Sequence, residues 1–388
     1  MTKFDVIIVG AGPAGCAAAY DLQSGGSKVL LVDRHRFPRV KPCAGALTVK
    51  AVKRLRYSIS PVIRHVAREL DISLAGERQQ RLSSAGPICV MTVRQEFDQY
   101  CLQRTIAHGV EFETCSSIQS IEERSAEIKI NFSDGRSLTS RYLVGADGAN
   151  SQIRRLVTDE SFYEKALALE GCIYQTPSYR EMRFDFGYVP GGYGWIFPKE
   201  DHLNVGLFTG RSNIHFKKYD LTCYAKDILG TDQVKNIIGF PVAVGGENYY
   251  AARERIFLVG DAAAMTERLL GEGIHNAIKS GQTIAAAILV GIRNGESVRP
   301  IFERSMQEIR RDLAASTTAA HLFYGMQSLG FGLLTTHPAR TALMRGFAAG
   351  RTFNNILQTS LFSPFYRIDA IPSIVAYENT KTPFGAKS

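Results

Sequence analysis

Phe4-Asp-Val-Ile-Ile-Val-Gly10-Ala-Gly12-Pro13-Ala14-Gly15 is an apolar run that breaks abruptly into glycines. Such a run predicts a buried parallel strand that turns sharply into a helix. Without side chains, Gly10 permits the tight turn, Gly12 lets a pyrophosphate approach the backbone, and Gly15 allows helix and strand to pack closely. Pro13 and Ala14 open the helix, whose free N–H groups and dipole favour an anion. A second apolar run, Val29-Leu-Leu-Val32, ends in Asp33, 18 residues beyond Gly15. Asp33 suits a hydrogen bond to an adenosine ribose, with Arg34 beside it. A glycine turn in any α/β protein is the plain alternative, but strand, helix and acid in this order favour a dinucleotide.

Two later motifs decide which dinucleotide. Tyr142-Leu-Val-Gly145-Ala-Asp147-Gly148 is again a strand ending in a carboxylate and glycine, with Ser151 as helix cap. Arg255-Ile-Phe-Leu-Val-Gly260-Asp261 repeats the theme, and Asp261 can accept hydrogen bonds from a ribityl chain. Gly271-Glu-Gly273-Ile274 then opens a helix with small residues at Ala277, Ser280 and Gly281. Its free N–H groups suit the pyrimidine edge of a flavin, where reduction places negative charge. Nicotinamide binding needs none of this second half, so the ordered set describes a site for FAD.

The three motifs, with Arg94-Gln-Glu-Phe97-Asp98 opening a helix between the first two, resemble the FAD-dependent group typified by p-hydroxybenzoate hydroxylase. Lys41-Pro42-Cys43-Ala44-Gly45-Ala46-Leu47 and Tyr193-Gly194-Trp195-Ile196-Phe197-Pro198-Lys199 narrow the resemblance to the geranylgeranyl reductase family, from residue 1 to roughly 300. That family often has consecutive glycines after the cysteine, whereas Ala44 stands here. The resemblance implies a reductase that saturates C=C bonds of an isoprenoid chain or lipid, with FAD as cofactor. No second dinucleotide fingerprint is present, so the donor visits transiently; NADPH and a reduced ferredoxin-like protein are both open. Rivals are a flavin monooxygenase or halogenase and a non-enzymatic flavin- or lipid-binding protein. Tyr193-Gly-Trp195-Ile-Phe-Pro198 partly matches a halogenase motif, but residues 70–85 hold no lysine for that chemistry.

Composition fits a multi-lobed globular enzyme: 388 residues, 45 % hydrophobic. The longest apolar stretch, Ile284–Val290, is too short to span a bilayer, and no secretory leader precedes the first strand. A cytoplasmic protein is expected. Seven cysteines form no CxxC pair, which points to reduced thiols and no metal site. The net charge of +9 has no dense basic block, which disfavours nucleic acid and favours anionic lipid or phosphorylated substrates.

The fold class expected is α/β: a Rossmann-like FAD-binding domain with an inserted, mostly antiparallel substrate sheet and a C-terminal helical region. The FAD domain is discontinuous (1–58, 92–158 and 252–297), the substrate domain takes 59–91 and 159–251, and helices fill 298–388. Met182-Arg-Phe-Asp-Phe and Leu203-Asn-Val-Gly-Leu-Phe alternate like half-buried antiparallel strands. Lys199-Glu-Asp-His202 reads as a surface turn. Segment 321–368 reads either as a helical cap on the core or as the wall of an apolar tunnel that touches a membrane with Arg340, Arg345 and Arg351. Cys43 is a candidate proton donor or an inert thiol. Tyr193 and Trp195, with Phe197, form either a substrate-facing aromatic surface or ordinary core. His275 reads as a solvated helix residue before a possible acid, and Glu272 shares that ambiguity.

Overall fold

The computed structural model describes residues 4–174, 179–360 and 370–381. The opening run forms the strand Phe4–Val9 at the centre of the first sheet, flanked by Val29–Asp33 and Ser137–Gly145 in parallel. Glu111–Thr114 and Ile256–Leu258 extend the parallel part, while Ile128–Phe132 and Ile118–Glu123 add an antiparallel edge. Val6, Ile7 and Ile8 are fully buried, as a strand covered on both faces requires. Helix Pro13–Ser24 packs against helix Ile274–Asn294 so closely that a Cβ on Gly281 would lie 2.2 Å from the Ala14 carbonyl oxygen.

A second sheet runs in the order Lys235–Val244, Glu164–Ile173, Leu203–Thr209, Gly192–Pro198, Met182–Phe186, Glu69–Leu74 and Glu77–Ser83. Every neighbouring pair is antiparallel except Met182–Phe186 with Glu69–Leu74. The expectation of half-buried strands is corrected here: Met182–Phe186 and Leu203–Thr209 are buried along their whole length. Helix Lys218–Leu229 covers Arg183 and Asp185 of the first strand and Leu203, Val205 and Leu207 of the second. There Arg183 Nε lies 2.9 Å from both Asp185 oxygens, and the Tyr224 hydroxyl donates to Asp185 at 2.7 Å. Polar alternation therefore marks a buried ion pair under a helix, not a wet face.

The opposite face presents Phe184, Phe186, Tyr193, Trp195 and Phe197. C-terminal helices Gln307–Gly325 and Gln327–Leu334 lie over it, with the Phe186 and Phe323 rings 5.0 Å apart edge to face. A small sheet of Ala46–Thr48, Cys89–Met91 and His65–Ala67 joins the two larger ones. Residues 361–368 of the expected C-terminal segment lie outside the described residues. All seven cysteines are free thiols. Among the described residues no helix is long and apolar enough to cross a membrane.

Candidate active site

Two cavities meet beyond the carboxyl ends of the parallel strands. The first, about 420 Å³, is lined by Gly10, Gly12, Pro13, Ala14, Asp33, Arg34, Arg39, Cys43, Arg94, Asp147, Gly148, Asp261, Gly271, Gly273 and Ile274. Gly10 has φ +107°, and a Cβ there would fall 2.3 Å from the Ala146 oxygen. A Cβ on Gly15 would fall 1.8 Å from the Gly10 oxygen. Gly15 thus serves packing beneath the cleft, as does Gly260, whose Cβ would sit 2.9 Å from that of Ala14. Among the described residues only Arg39 Nη2 comes near Gly12, 3.6 Å from a notional Cβ, so the helix start is open.

The donor set there fits FAD. Arg39 Nη2 lies 3.2 Å from Asp98, while its buried Nε has no hydrogen-bond partner among the described residues. A guanidinium with a spare donor beside an open helix N-terminus suits a pyrophosphate. Asp33 is held by the Ala11 N–H at 2.8 Å and the His35 N–H at 2.9 Å. Arg94 Nε and Nη2 each lie 2.9 Å from Asp98. Burial alone would lower the Arg94 pKa, but Asp98 and then Cys43 raise it, so the charge is secure. Asp147 accepts from Ser151 Oγ at 2.5 Å and from the Gln152 N–H at 2.6 Å, while Ser151 Oγ accepts the Arg154 N–H. Its carboxylate therefore shapes the turn at the cleft wall. Asp261 accepts from Thr266 Oγ1 at 3.2 Å, and a Cβ on Gly273 would meet that hydroxyl at 2.7 Å.

The second cavity, about 680 Å³, is walled by Leu70, Ile72, Met182, Phe184, Phe186, Tyr193, Trp195, Phe197 and Phe208 from the second sheet, and by Phe323, Leu333, Leu334, Leu343, Phe347 and Phe353 from the helices. Tyr193, Trp195 and Phe197 are buried core residues that also line this cavity. The Tyr193 hydroxyl donates to the Leu270 carbonyl at 2.5 Å, and burial pushes its pKa well above the ordinary phenol range. Trp195 Nε1 donates to Asn204 Oδ1 at 2.7 Å. Ala44 and Gly45 line this second cavity and not the cofactor cleft. Cys43, Phe240, Val242, Gly271, Gly273 and Ile274 line both cavities, so the two spaces share a wall at the Cys43 loop and the Gly271–Ile274 turn.

That loop is held from below by two residues that the sequence reading missed. The Cys43 N–H donates to Glu170 Oε1 at 2.9 Å, and Lys199 Nζ donates to the Ala44 carbonyl at 2.6 Å. Lys199 is 4 % exposed, which overturns its assignment to a surface turn; only Glu200 and Asp201 of that cluster are in solvent. Burial lowers the Lys199 pKa to about 8, against the pull of Cys43, Cys89 and Glu170, and burial raises that of Glu170. One signal was present: Glu170 is a single carboxylate inside the apolar run Ala166-Leu-Ala-Leu-Glu170-Gly.

His275 is also corrected: it is buried, and burial with Lys50 close by lowers its pKa to about 4, so it is neutral near pH 7. For Glu272 burial pushes the pKa up, but Lys50 Nζ at 2.5 Å and the Thr48 hydroxyl hold it below the usual range. It acts as a strut between the small sheet and the Gly271–Ile274 turn.

Comparison with known proteins identifies the family. Residues 3–167 match the family model described as an FAD binding domain. An uncharacterized protein of Methanosarcina barkeri is 33 % identical, covering 91 % of this chain and 92 % of its own. The chloroplastic geranylgeranyl diphosphate reductase of Oryza sativa subsp. japonica is 30 % identical, covering 76 % of this chain and 68 % of that protein. The crystal structure of a geranylgeranyl bacteriochlorophyll reductase-like protein from Thermoplasma acidophilum superposes with a TM-score of 0.76 at 19 % identity, over 92 % of this chain and 98 % of that one, a likeness of fold. On these grounds the chain belongs to the geranylgeranyl reductase family of FAD-dependent oxidoreductases.

Proposed function

We propose that this protein reduces C=C bonds of a polyisoprenoid chain held in the apolar cavity. The observation that carries the reading is the shared wall of the two cavities at Cys43, Phe240, Val242, Gly271, Gly273 and Ile274. A cavity of about 680 Å³ lies within the ~300–1,000 Å³ range of small-ligand sites and suits an apolar occupant. Bound FAD, once reduced, supplies the hydride.

The chain's own residues supply the rest. The Gly12 helix start and Arg39 hold the pyrophosphate, and Asp33 and Asp261 orient the sugar and ribityl hydroxyls. Backbone N–H groups at Gly273 and Ile274, at the start of helix Ile274–Asn294, favour negative charge at the flavin pyrimidine edge. Phe184, Tyr193, Trp195 and Phe197 exclude water and fix the chain. Cys43 holds a proton at Sγ, where the cavities meet, for the carbon that does not receive hydride. Tyr193 commits its proton to Leu270, so its part is to shape the cavity.

The test is anaerobic turnover. Chemically reduced enzyme mixed with geranylgeranyl diphosphate under argon should reoxidise its flavin and yield a product heavier by two hydrogens. Reoxidation that strictly requires oxygen would replace this reading with a monooxygenase.

A further inference from the structure

The outer face of the cavity's helical wall is apolar and exposed. Leu322, Met326, Leu329 and Leu333, spaced four, three and four residues apart, are 57 %, 51 %, 58 % and 60 % exposed. They lie on helices Gln307–Gly325 and Gln327–Leu334 and at the junction between them. Phe323, Gly330, Leu333 and Leu334 of the same two helices line the cavity. Leu333 is therefore both solvent-exposed and cavity-lining, which puts a mouth of the cavity in this face. An exposed apolar face of this kind on a folded chain marks an interaction surface.

Charge distribution identifies the occupant. Between Asp312 and Asp369 the sequence contains no Asp or Glu, while it carries Arg340, Arg345, Arg351 and Arg367, with His321 and His337. Elsewhere acids are frequent, 37 in the whole chain, so the acid-free stretch coincides with the apolar face. Arg340 and Arg345 lie on helix His337–Ala349, which follows the stripe directly. An apolar strip in a stretch of chain that carries cations and no acid is the pattern of a surface that seats in the headgroup region of an anionic bilayer. A protein partner of mixed charge would give no reason for acids to be missing.

We infer that the face formed by Leu322, Met326, Leu329 and Leu333 docks on an anionic membrane and opens the apolar cavity toward it, so that a chain enters from the bilayer without crossing water. The inference goes beyond the reductase reading and rests on it only for the chemistry that follows entry.

The experiment is flotation of the FAD-loaded protein with vesicles of phosphatidylcholine alone or with added phosphatidylglycerol. Wild type should float with the anionic vesicles, less so as salt rises. Leu322→Gln/Met326→Gln/Leu329→Gln should lose flotation by about tenfold or more, because the buried apolar area is gone. Arg340→Gln/Arg345→Gln should lower binding to anionic vesicles by at least about fivefold, since each cation near such a surface contributes about that factor, and leave neutral vesicles unaffected. Unchanged FAD content and melting temperature establish that the variants are folded. Reduction of a water-soluble allylic diphosphate, geranyl diphosphate, should be the same in wild type and both variants, while reduction of a vesicle-embedded polyprenyl lipid falls in both. Wild type that does not float, variants that float as well as wild type, or a triple variant that instead changes oligomeric state would overturn docking. Wild type that floats but reduces neither substrate overturns the reductase reading and leaves docking standing.

Discussion

At Cys43 the backbone is tied to Glu170, 127 positions away, and at Ala44 to Lys199, 155 positions away. A loop clamped by a buried acid and a buried base keeps Cys43 at the wall between the two cavities. With a pKa of about 8, Lys199 is charged below that pH and neutral above it. The single-turnover rate of alkene reduction should therefore fall as pH rises through about 8. Lys199→Arg, charged at every accessible pH, should move that limb upward, and Lys199→Met should lower the rate and erase the limb; a limb unchanged in both variants would separate Lys199 from the reaction. Cys43→Ala should retain FAD yet slow single-turnover reduction at least about tenfold, roughly 1.4 kcal/mol of transition-state stabilisation. Gly12→Val should lose FAD, because the valine side chain fills the open space beneath Arg39; wild-type flavin absorbance in that variant would refute the pyrophosphate assignment. The glycine turn and the place of Cys43 in the cavity lining were legible in the sequence because each rests on a short local motif. Glu170, Lys199 and Arg39 were not, since a charged side chain reads as surface until the fold brings other elements over it.

Among the elements, the strand-glycine-helix units were legible because apolar run, glycine spacing and terminal acid report on one another within a few residues. What cover each strand receives is not written locally. Met182–Phe186 alternates like a wet strand, yet helix Lys218–Leu229 closes over Arg183 and Asp185. Arg183→Met leaves Asp185 buried with only hydroxyl partners, and should destabilise the fold by about 3 kcal/mol or more in urea unfolding; a change below about 1 kcal/mol would mean that water reaches the carboxylate. Helix Ile274–Asn294 depends on Gly281 in the same way. Gly281→Val drives a side chain into the Ala14 carbonyl, 2.2 Å from the notional Cβ, at a cost of about 2 kcal/mol or more. Because Ala14 lines the first cavity, FAD content should fall together with stability.

For the molecule as a whole, the sequence conveyed an FAD scaffold, an inserted sheet and a helical end. It left open whether that end caps a core or walls a cavity. The described part does both: Phe331 and Met344 are buried, while Phe323, Leu334 and Phe347 line the void. A void is a property of packing between distant elements, so no stretch of sequence records it. The shared wall at Cys43 and Ile274 makes the two cavities one site, and the account depends on that junction. Its most direct test is a crystal structure of the protein loaded with FAD and a saturated, unreactive geranylgeranyl analogue. The account predicts the flavin ring beside Cys43 and Ile274, with the hydrocarbon running between Trp195, Phe184 and Phe323 and reaching the ring at that wall. A chain bound elsewhere, or a flavin separated from the apolar cavity by closed protein, would contradict it.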